Sequence, residues 1–200
     1  SGVGALTLVD FDDVGWSNLN RQLEATVNTV GMPKADAMAE RIRSIALQCR
    51  VTPLLYRYTS ESRETFFSGS YDYIVDAIDL VSCKLDLIES ALERSIPIIS
   101  SLGTGNKLDP SQFQISDISK TQGCPLARVI RKELRNRGIL HHRVLWSPEL
   151  PLTPHSSSSE EAPPPGRRSI PGSVAWVPSC AGLMLAGDVV LALTEKERSI

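Results

Sequence analysis

The stretch from Asp10 to Lys34, DFDDVGWSNLNRQLEATVNTVGMPK, constrains this chain more than any other. An apolar run, Ala5-Leu6-Thr7-Leu8-Val9, leads into it and reads as a buried parallel strand. The strand closes on an acid, Asp10, with Asp12 and Asp13 beyond it. Asn18, Asn20 and Arg21 follow in a polar turn, and Lys34 opens a helix after Pro33. An acid closing a strand of an open α/β sheet is placed to bind a ribose hydroxyl pair. Arg beyond it holds phosphate through a planar fork, and Lys holds it as a point charge. The stretch reads as half of a nucleotide site, with sugar at Asp10 and phosphates at Arg21 and Lys34. Singly, each residue has a plainer use: Asp closes turns, Arg is a common surface charge, and Lys after Pro begins many helices. The joint pattern carries the signal.

Beyond it, strands and helices alternate. Pro33 to Gln48 reads as a helix with Ala35, Met38, Ala39, Ile42, Ile45 and Ala46 on one face. Arg50 to Tyr56 reads as a strand that Pro53 assigns to an edge or bulge. A short capped helix over Ser60–Phe67, a buried strand over Tyr71–Ile78, a helix over Val81–Arg94 and a strand over Ile96–Ser100 follow. Gln112–Ile118 alternates like a strand, Val174–Val177 reads as a last short strand, and Pro178–Glu195 as an apolar helix. This order predicts an α/β fold, a doubly wound, mainly parallel Rossmann-like sheet with helices on both faces.

Two hundred residues, 42% hydrophobic, suit one domain with its own core spanning 1–200. Pro148 to Gly172 is proline- and serine-rich and reads as a long flexible loop. A net charge of −2 excludes a global polycation, so a nucleic-acid partner has to meet a local patch. The four cysteines are isolated, with no C-x-x-C pair, so no structural zinc is expected. Scattered cysteines suit a reducing compartment such as the cytoplasm. No membrane partner is expected, because no apolar run reads as long enough to span one.

Three runs together carry a family resemblance: Asp10-Phe11-Asp12 after a strand, Ser17-Asn18-Leu19-Asn20-Arg21-Gln22, and Gly31-Met32-Pro33-Lys34. With Asp76-Ala77-Ile78-Asp79 after a later strand, this pattern resembles the ubiquitin-activating-enzyme-like (ThiF/MoeB-type) adenylyltransferases, which activate carboxylates with ATP. A second set of residues narrows the resemblance. Asp117-Ile118-Ser119-Lys120-Thr121, then Pro125-Leu126-Ala127-Arg128, and the Gly172–Leu183 run are similar to the tRNA threonylcarbamoyladenosine dehydratases. Cys124 stands where that pattern leads one to expect Asp.

The resemblance implies ATP and Mg²⁺ as cofactors. It implies Asp10, Asp12, Asn18, Arg21, Gln22 and Lys34 as nucleotide contacts, and Arg21, Lys34 and Asp79 as the catalytic set. Asp79, just past a strand's carboxyl end, is a natural Mg²⁺ ligand, with Asp12 assisting through water; the plainer role for Asp79 is a helix cap. It implies an adenylated carboxylate on threonylcarbamoyladenosine beside the anticodon, closed into a ring as AMP leaves. It also implies a homodimer. The family's first strand, its G-x-G-G-V-G-S phosphate loop and the following helix are absent from these residues, so an N-terminally truncated domain is expected.

Arg128, Arg131, Lys132 and Arg135 recur at i, i+3, i+4 and i+7, which places them on one helix face able to meet tRNA phosphates. Arg137, His141, His142 and Arg143 extend the positive stretch. A solvated helix face has the same pattern. Cys180, in the first turn of the apolar helix, is a candidate reactive thiol, and some relatives pass sulfur through a cysteine to a sulfur-transfer protein; a buried inert thiol is the plainer role. Two rival functions stand beside the dehydratase. One is activation of a ubiquitin-like or sulfur-carrier C-terminus, against which the missing zinc pairs count. The other is a non-catalytic dimeric binding module.

Overall fold

The computed structural model describes residues 2–153 and 172–194. Strand β1 (Ala5–Val9) pairs in parallel with β2 (Arg50–Leu54), Leu6 opposite Val51 and Leu8 opposite Pro53. Among the described residues each of these strands has only the other as a neighbour. Pro53, which has no N–H to donate, is therefore on an edge strand, as its sequence predicts. Helix α1 (Lys34–Ile45) crosses back over the pair. It buries Ala35, Ala37 and Ala39, while Ile45 is 72% exposed and Ala46 is exposed too. The small residues are buried because α1 is covered on two sides. The sheet lies on one, and on the other Ala37 packs with Val14 and Ala25 of the loop that precedes it.

The second sheet has the order β3-β4-β6-β5: β3 (Ile74–Asp76), β4 (Ile98–Ser101) and β6 (Arg143–Trp146) are parallel, and β5 (Gln114–Asp117) runs antiparallel to β6. The strand expected over Tyr71–Ile78 shrinks to these three residues of β3, with Val75 half exposed. Helices α2 (Arg63–Phe67), α3 (Val81–Glu93) and α4 (Pro125–Asn136) cover one face, in a core of Tyr58, Phe66, Leu85, Ile88, Ile130 and Leu134. Helix α5 (Trp176–Leu193) covers the other, where Val177, Ala181 and Leu185 meet Ile99, Phe113 and Leu145. The mixed, mainly parallel α/β fold is as the alternation predicts.

The last strand expected over Val174–Val177 does not form; Trp176 and Val177 begin α5. Four apolar residues are too few for periodicity to separate strand from helix. Pro178 is tolerated because the first-turn N–H groups of a helix have no intrahelical acceptor. Cys180 accordingly falls in the second turn, beyond the helix end where the dipole acts on a thiol. Helix α5 is also long and apolar enough to cross a membrane, 18 residues of mean hydropathy 1.7, which corrects the sequence reading. Its Asp188 is buried, and Arg143 of β6 pairs with it through two guanidinium nitrogens, so α5 is docked on the sheet by charge as well as by apolar contact. The long loop expected over 148–172 falls mostly on residues 154–171, which lie outside those described.

Candidate functional site

The Asp10–Lys34 stretch closes on itself. Asp12 to Val14 run antiparallel to Gly31–Lys34: Lys34 N–H donates to Asp12 O (2.9 Å), Val14 N–H to Met32 O (2.8 Å) and Gly31 N–H to Val14 O (2.8 Å), with an Asp13–Pro33 bridge between them. Gly31 has φ +86°, a left-handed conformation that glycine adopts without strain. This closure brings the acid end of β1 to the start of α1. Asp10 Oδ1 accepts from Asp12 N–H at 2.9 Å, which holds the Asp10 carboxylate in one orientation, and among the described residues its second oxygen makes no hydrogen bond. Lys34 Nζ lies 3.2 Å from Asp12 Oδ2.

The polar turn stands beside this cluster. Trp16–Asn18 forms one 3-10 turn, which Asn18 Oδ1 closes by accepting from Gly15 N–H at 2.9 Å. Arg21 Nη1 donates to Ser17 O and to Asn20 Oδ1, both at 2.8 Å. Among the described residues its other guanidinium nitrogens make no hydrogen bond. Gln22 Oε1 is buried without a hydrogen-bond partner among the described residues.

A strap joins this turn to the second sheet. Asn20 Nδ2 donates to Ser173 O at 2.9 Å. The next residue back, Gly172, exchanges two hydrogen bonds with Asn106 in the small-residue loop after β4: Asn106 N–H to Gly172 O, 2.8 Å, and Gly172 N–H to Asn106 Oδ1, 2.6 Å. Lys107 is buried in the same loop and donates to Ser147 O and Glu149 O, each at 2.8 Å; burial pulls its ammonium below the usual lysine range. Gly103 has φ +63°, and a Cβ there would come within 3.0 Å of Cys124 Sγ. Cys124 is the N-cap of α4, its sulfur accepting from Ala127 N–H at 3.5 Å. A thiol thus occupies the capping place that an Asp side chain fills well.

Asp79 lies past β3 and two residues before α3, exposed, at the carboxyl end of the second sheet. β3 and β4 are parallel with Asp76 opposite Ser100, so the turn that carries Asp79 leaves the sheet beside the loop that carries Asn106. A buried network beneath it was not visible in the sequence. Asp76 Oδ2 accepts from Lys84 Nζ (2.7 Å) and from Ser100 Oγ (2.6 Å), and Asp76 Oδ1 accepts from Ile78 N–H (2.9 Å). Lys84 Nζ also donates to Ser101 O at 3.2 Å, and Ser100 Oγ lies 2.8 Å from His142 Nε2. All four side chains are buried. Burial, reinforced by the nearby Lys84 charge, pushes the His142 imidazole down to about 4. The signal that was there to read is a set of polar residues at core positions: Lys84 between Cys83 and Leu85, Ser100 closing IPIIS, and His142 before an apolar run.

The basic helix is α4, but its four cations do not share one open face. Arg131 turns inward, and its Nη1 donates to Thr121 O (2.6 Å) and to Thr121 Oγ1. Arg128, Lys132 and Arg135 are exposed. Nor does the positive stretch extend beyond the helix: Arg137 pairs with Glu89, Arg143 with Asp188 and His141 with Asp117, while His142 is buried and neutral. Cys180 is half-buried. Among the described residues no three His, Cys, Asp or Glu side chains are grouped to hold a metal ion. A Mg²⁺ ion fits such a site when nucleotide phosphates and water supply most of its ligands and the protein one or two carboxylates.

Comparison with known proteins agrees with this architecture. The chain is 45% identical to the tRNA threonylcarbamoyladenosine dehydratase of Bacillus subtilis over 96% of its own length and 78% of that protein. It is 42% identical to the Escherichia coli enzyme of that name over 68% of the chain and 51% of that protein. The fold superposes on the crystal structure of the E. coli dehydratase in complex with AMP with a TM-score of 0.84, at 32% identity, over 98% of this chain and 78% of that one. The ThiF family matches residues 1–199, and the chain belongs to the ThiF family.

Proposed function

We propose that this chain is the ATP-dependent adenylating domain of a tRNA threonylcarbamoyladenosine dehydratase. The carboxylate of threonylcarbamoyladenosine attacks the α-phosphorus of ATP and pyrophosphate leaves. The carbamoyl group then closes on the activated carbonyl, and AMP leaves with the ring formed. Adenylation turns a poor leaving oxygen into AMP, so the protein's work is positioning and charge neutralisation. The observation that carries this reading is the 45% identity along nearly the whole chain to an enzyme of that name, with the closed Asp10–Lys34 stretch at a strand's carboxyl end.

In this reading the free oxygen of Asp10 accepts from the ribose. Arg21, braced at Nη1, offers its remaining nitrogens to phosphate. Lys34 exchanges its Asp12 partner for phosphate oxygen, and Asn18 and Gln22 complete the nucleotide contacts. Asp79 is the carboxylate for Mg²⁺, which neutralises phosphate charge when bound, and Asp12 is within the same acid cluster to assist through water. The strap from Asn20 through Ser173 and Gly172 to Asn106 supports one site drawn from both sheets. A reducing cytoplasm suits the four free cysteines.

The test is ATP-dependent conversion of tRNA-borne threonylcarbamoyladenosine by the full-length protein, followed as loss of water from the nucleoside with release of AMP and pyrophosphate. ATP–pyrophosphate exchange driven by a small carrier protein, with no effect of tRNA, would assign the protein to carrier activation instead. Arg128, Lys132 and Arg135 are the cations of α4 left open to tRNA. Reversing all three to Glu should weaken tRNA binding at least about tenfold. It should also reduce the slope of log affinity against log salt by about one for each phosphate no longer neutralised. ATP affinity should be unchanged. Equal tRNA affinity and slope in the variant would remove α4 from the RNA surface.

The full-length protein is further proposed to be a homodimer. Leu183 (74% exposed), Trp176 and Leu193 leave an apolar face of α5 uncovered. Sedimentation at micromolar concentration should show a dimer, and a monomer alone would refute this.

A further inference from the structure

Two of the three tryptophans have a partner for the indole N–H. Trp146 Nε1 donates to Ser116 Oγ at 2.9 Å, and Trp176 Nε1 donates to Leu108 O at 2.8 Å. Trp16 differs. It is 68% exposed, and among the described residues its Nε1 donates no hydrogen bond and no ring or cation lies against its indole. Its backbone, by contrast, is fixed. Val14 before it is buried against Ala37 of α1, Gly15 N–H is held by Asn18 Oδ1, and Leu19 N–H donates to Trp16 O at 3.4 Å. A large flat ring is presented to water from a braced turn. A single exposed apolar side chain is ordinary, so the neighbourhood is what distinguishes this one.

The same turn carries Arg21, whose Nη1 donates to Ser17 O at 2.8 Å, so the guanidinium lies against the residue next to Trp16. One further peptide step puts the Trp16 Cα within roughly 9 Å of that nitrogen, and an indole extends about 6 Å from its Cα. The carboxylate to be adenylated is joined to its purine by a single carbamoyl-threonine unit. A purine whose carboxylate meets the α-phosphorus therefore sits within roughly 7 Å of it. With the phosphates at Arg21, that purine and the Trp16 indole share one neighbourhood. We propose that Trp16 is the platform on which the modified purine of the tRNA stacks while its carboxylate meets ATP. Bases of a single-stranded RNA loop are splayed out and stacked on aromatic side chains, which bury a π-face that water otherwise covers. The exposed ring is a contact to the RNA substrate, and ATP is held by the other residues of the stretch. This inference rests on the dehydratase reading above.

Two synthetic anticodon stem-loops test it with the full-length protein: one carrying threonylcarbamoyladenosine, the other an abasic site at that position. Trp16→Ala and Trp16→Leu should each weaken binding of the first RNA about tenfold, the lower part of what one base-stacking side chain contributes. Trp16→Phe, which keeps an aromatic face, should stay within about threefold of wild type. All four proteins should bind the abasic RNA alike, because it has no base to stack. ATP affinity, measured by calorimetry, should be the same in all four. Full affinity for the first RNA in Trp16→Ala would overturn the platform, and full affinity in Trp16→Leu would make the contact apolar rather than stacked. An equal loss on both RNAs would place Trp16 on another part of the tRNA, and a parallel loss of ATP binding would place it on the nucleotide; either result overturns the proposal. Wild-type protein that binds neither RNA would instead sink the dehydratase reading itself, and the platform with it.

Discussion

Replacing Lys84 by methionine should destabilise the fold by about 3–5 kcal/mol, the usual result of removing one partner from a buried ion pair. Lys84 and Asp76 are at 0% and 1% exposure, with Nζ 2.7 Å from Oδ2. Methionine fills nearly the same space, so packing is little changed and the effect is electrostatic. It strands a carboxylate that keeps two neutral donors, Ser100 Oγ and Ile78 N–H, and loses its cation. Against the roughly 5–15 kcal/mol that holds a whole domain together, this is a large fraction. Urea unfolding of wild type, Lys84→Met, Asp76→Leu and the double variant measures it. The double variant should recover much of the loss, because neither charge is then left alone. A loss of under about 1 kcal/mol in Lys84→Met would show that the pair does not hold β3 to α3. The same change should reach the site. Asp76 Oδ1 fixes the turn that leads to Asp79, and Lys84 ties down Ser101 at the start of the Asn106 loop.

Why this network escaped the sequence while the nucleotide stretch did not is a matter of range. The meeting of Asp12 with Lys34 is the closing of one local loop between a strand and the next helix, and both ends carry their own signals: an apolar run into Asp10, and Pro33 before α1. Periodicity tells which helical positions face inward, but it treats a long cation as a surface residue. Lys84 and Arg131 both run against it, the first sealed under the sheet and the second turned to Thr121. The strap is harder still. Asn20 meets Ser173, and Asn106 meets Gly172, through backbone groups whose sequence neighbours say nothing about each other. Val174–Val177 failed for the opposite reason, since a short apolar run is consistent with both strand and helix and only the continuation into α5 decides.

Acid should destabilise this fold from about pH 6.5 downward, and His142 should be the cause. Ser100 Oγ donates its one proton to Asp76, so it can only accept from His142. The imidazole must then carry its proton on Nε2. Its Nδ1 is a bare acceptor, buried and without a hydrogen-bond partner among the described residues. A second proton would place a charge there, out of water and near the Lys84 ammonium, and the folded imidazole resists it down to about 4 instead of 6.5. The unfolded chain has no such resistance. Between those two values the unfolded state binds a proton that the folded state does not, so stability is full above about 6.5 and falls as pH drops toward 4. The loss over that window is about 3 kcal/mol, since each tenfold change in proton affinity is worth about 1.4 kcal/mol. The lowered carboxylates of Asp86 and Asp117 act in a separate window. Held below their usual value of 3.8, they contribute stability that is lost only as pH falls beneath it. Urea unfolding across the two windows separates the groups. His142→Leu should flatten the upper window by about 3 kcal/mol and leave the lower one alone. An upper-window slope in His142→Leu equal to that of wild type would remove the buried imidazole as the acid-sensitive group.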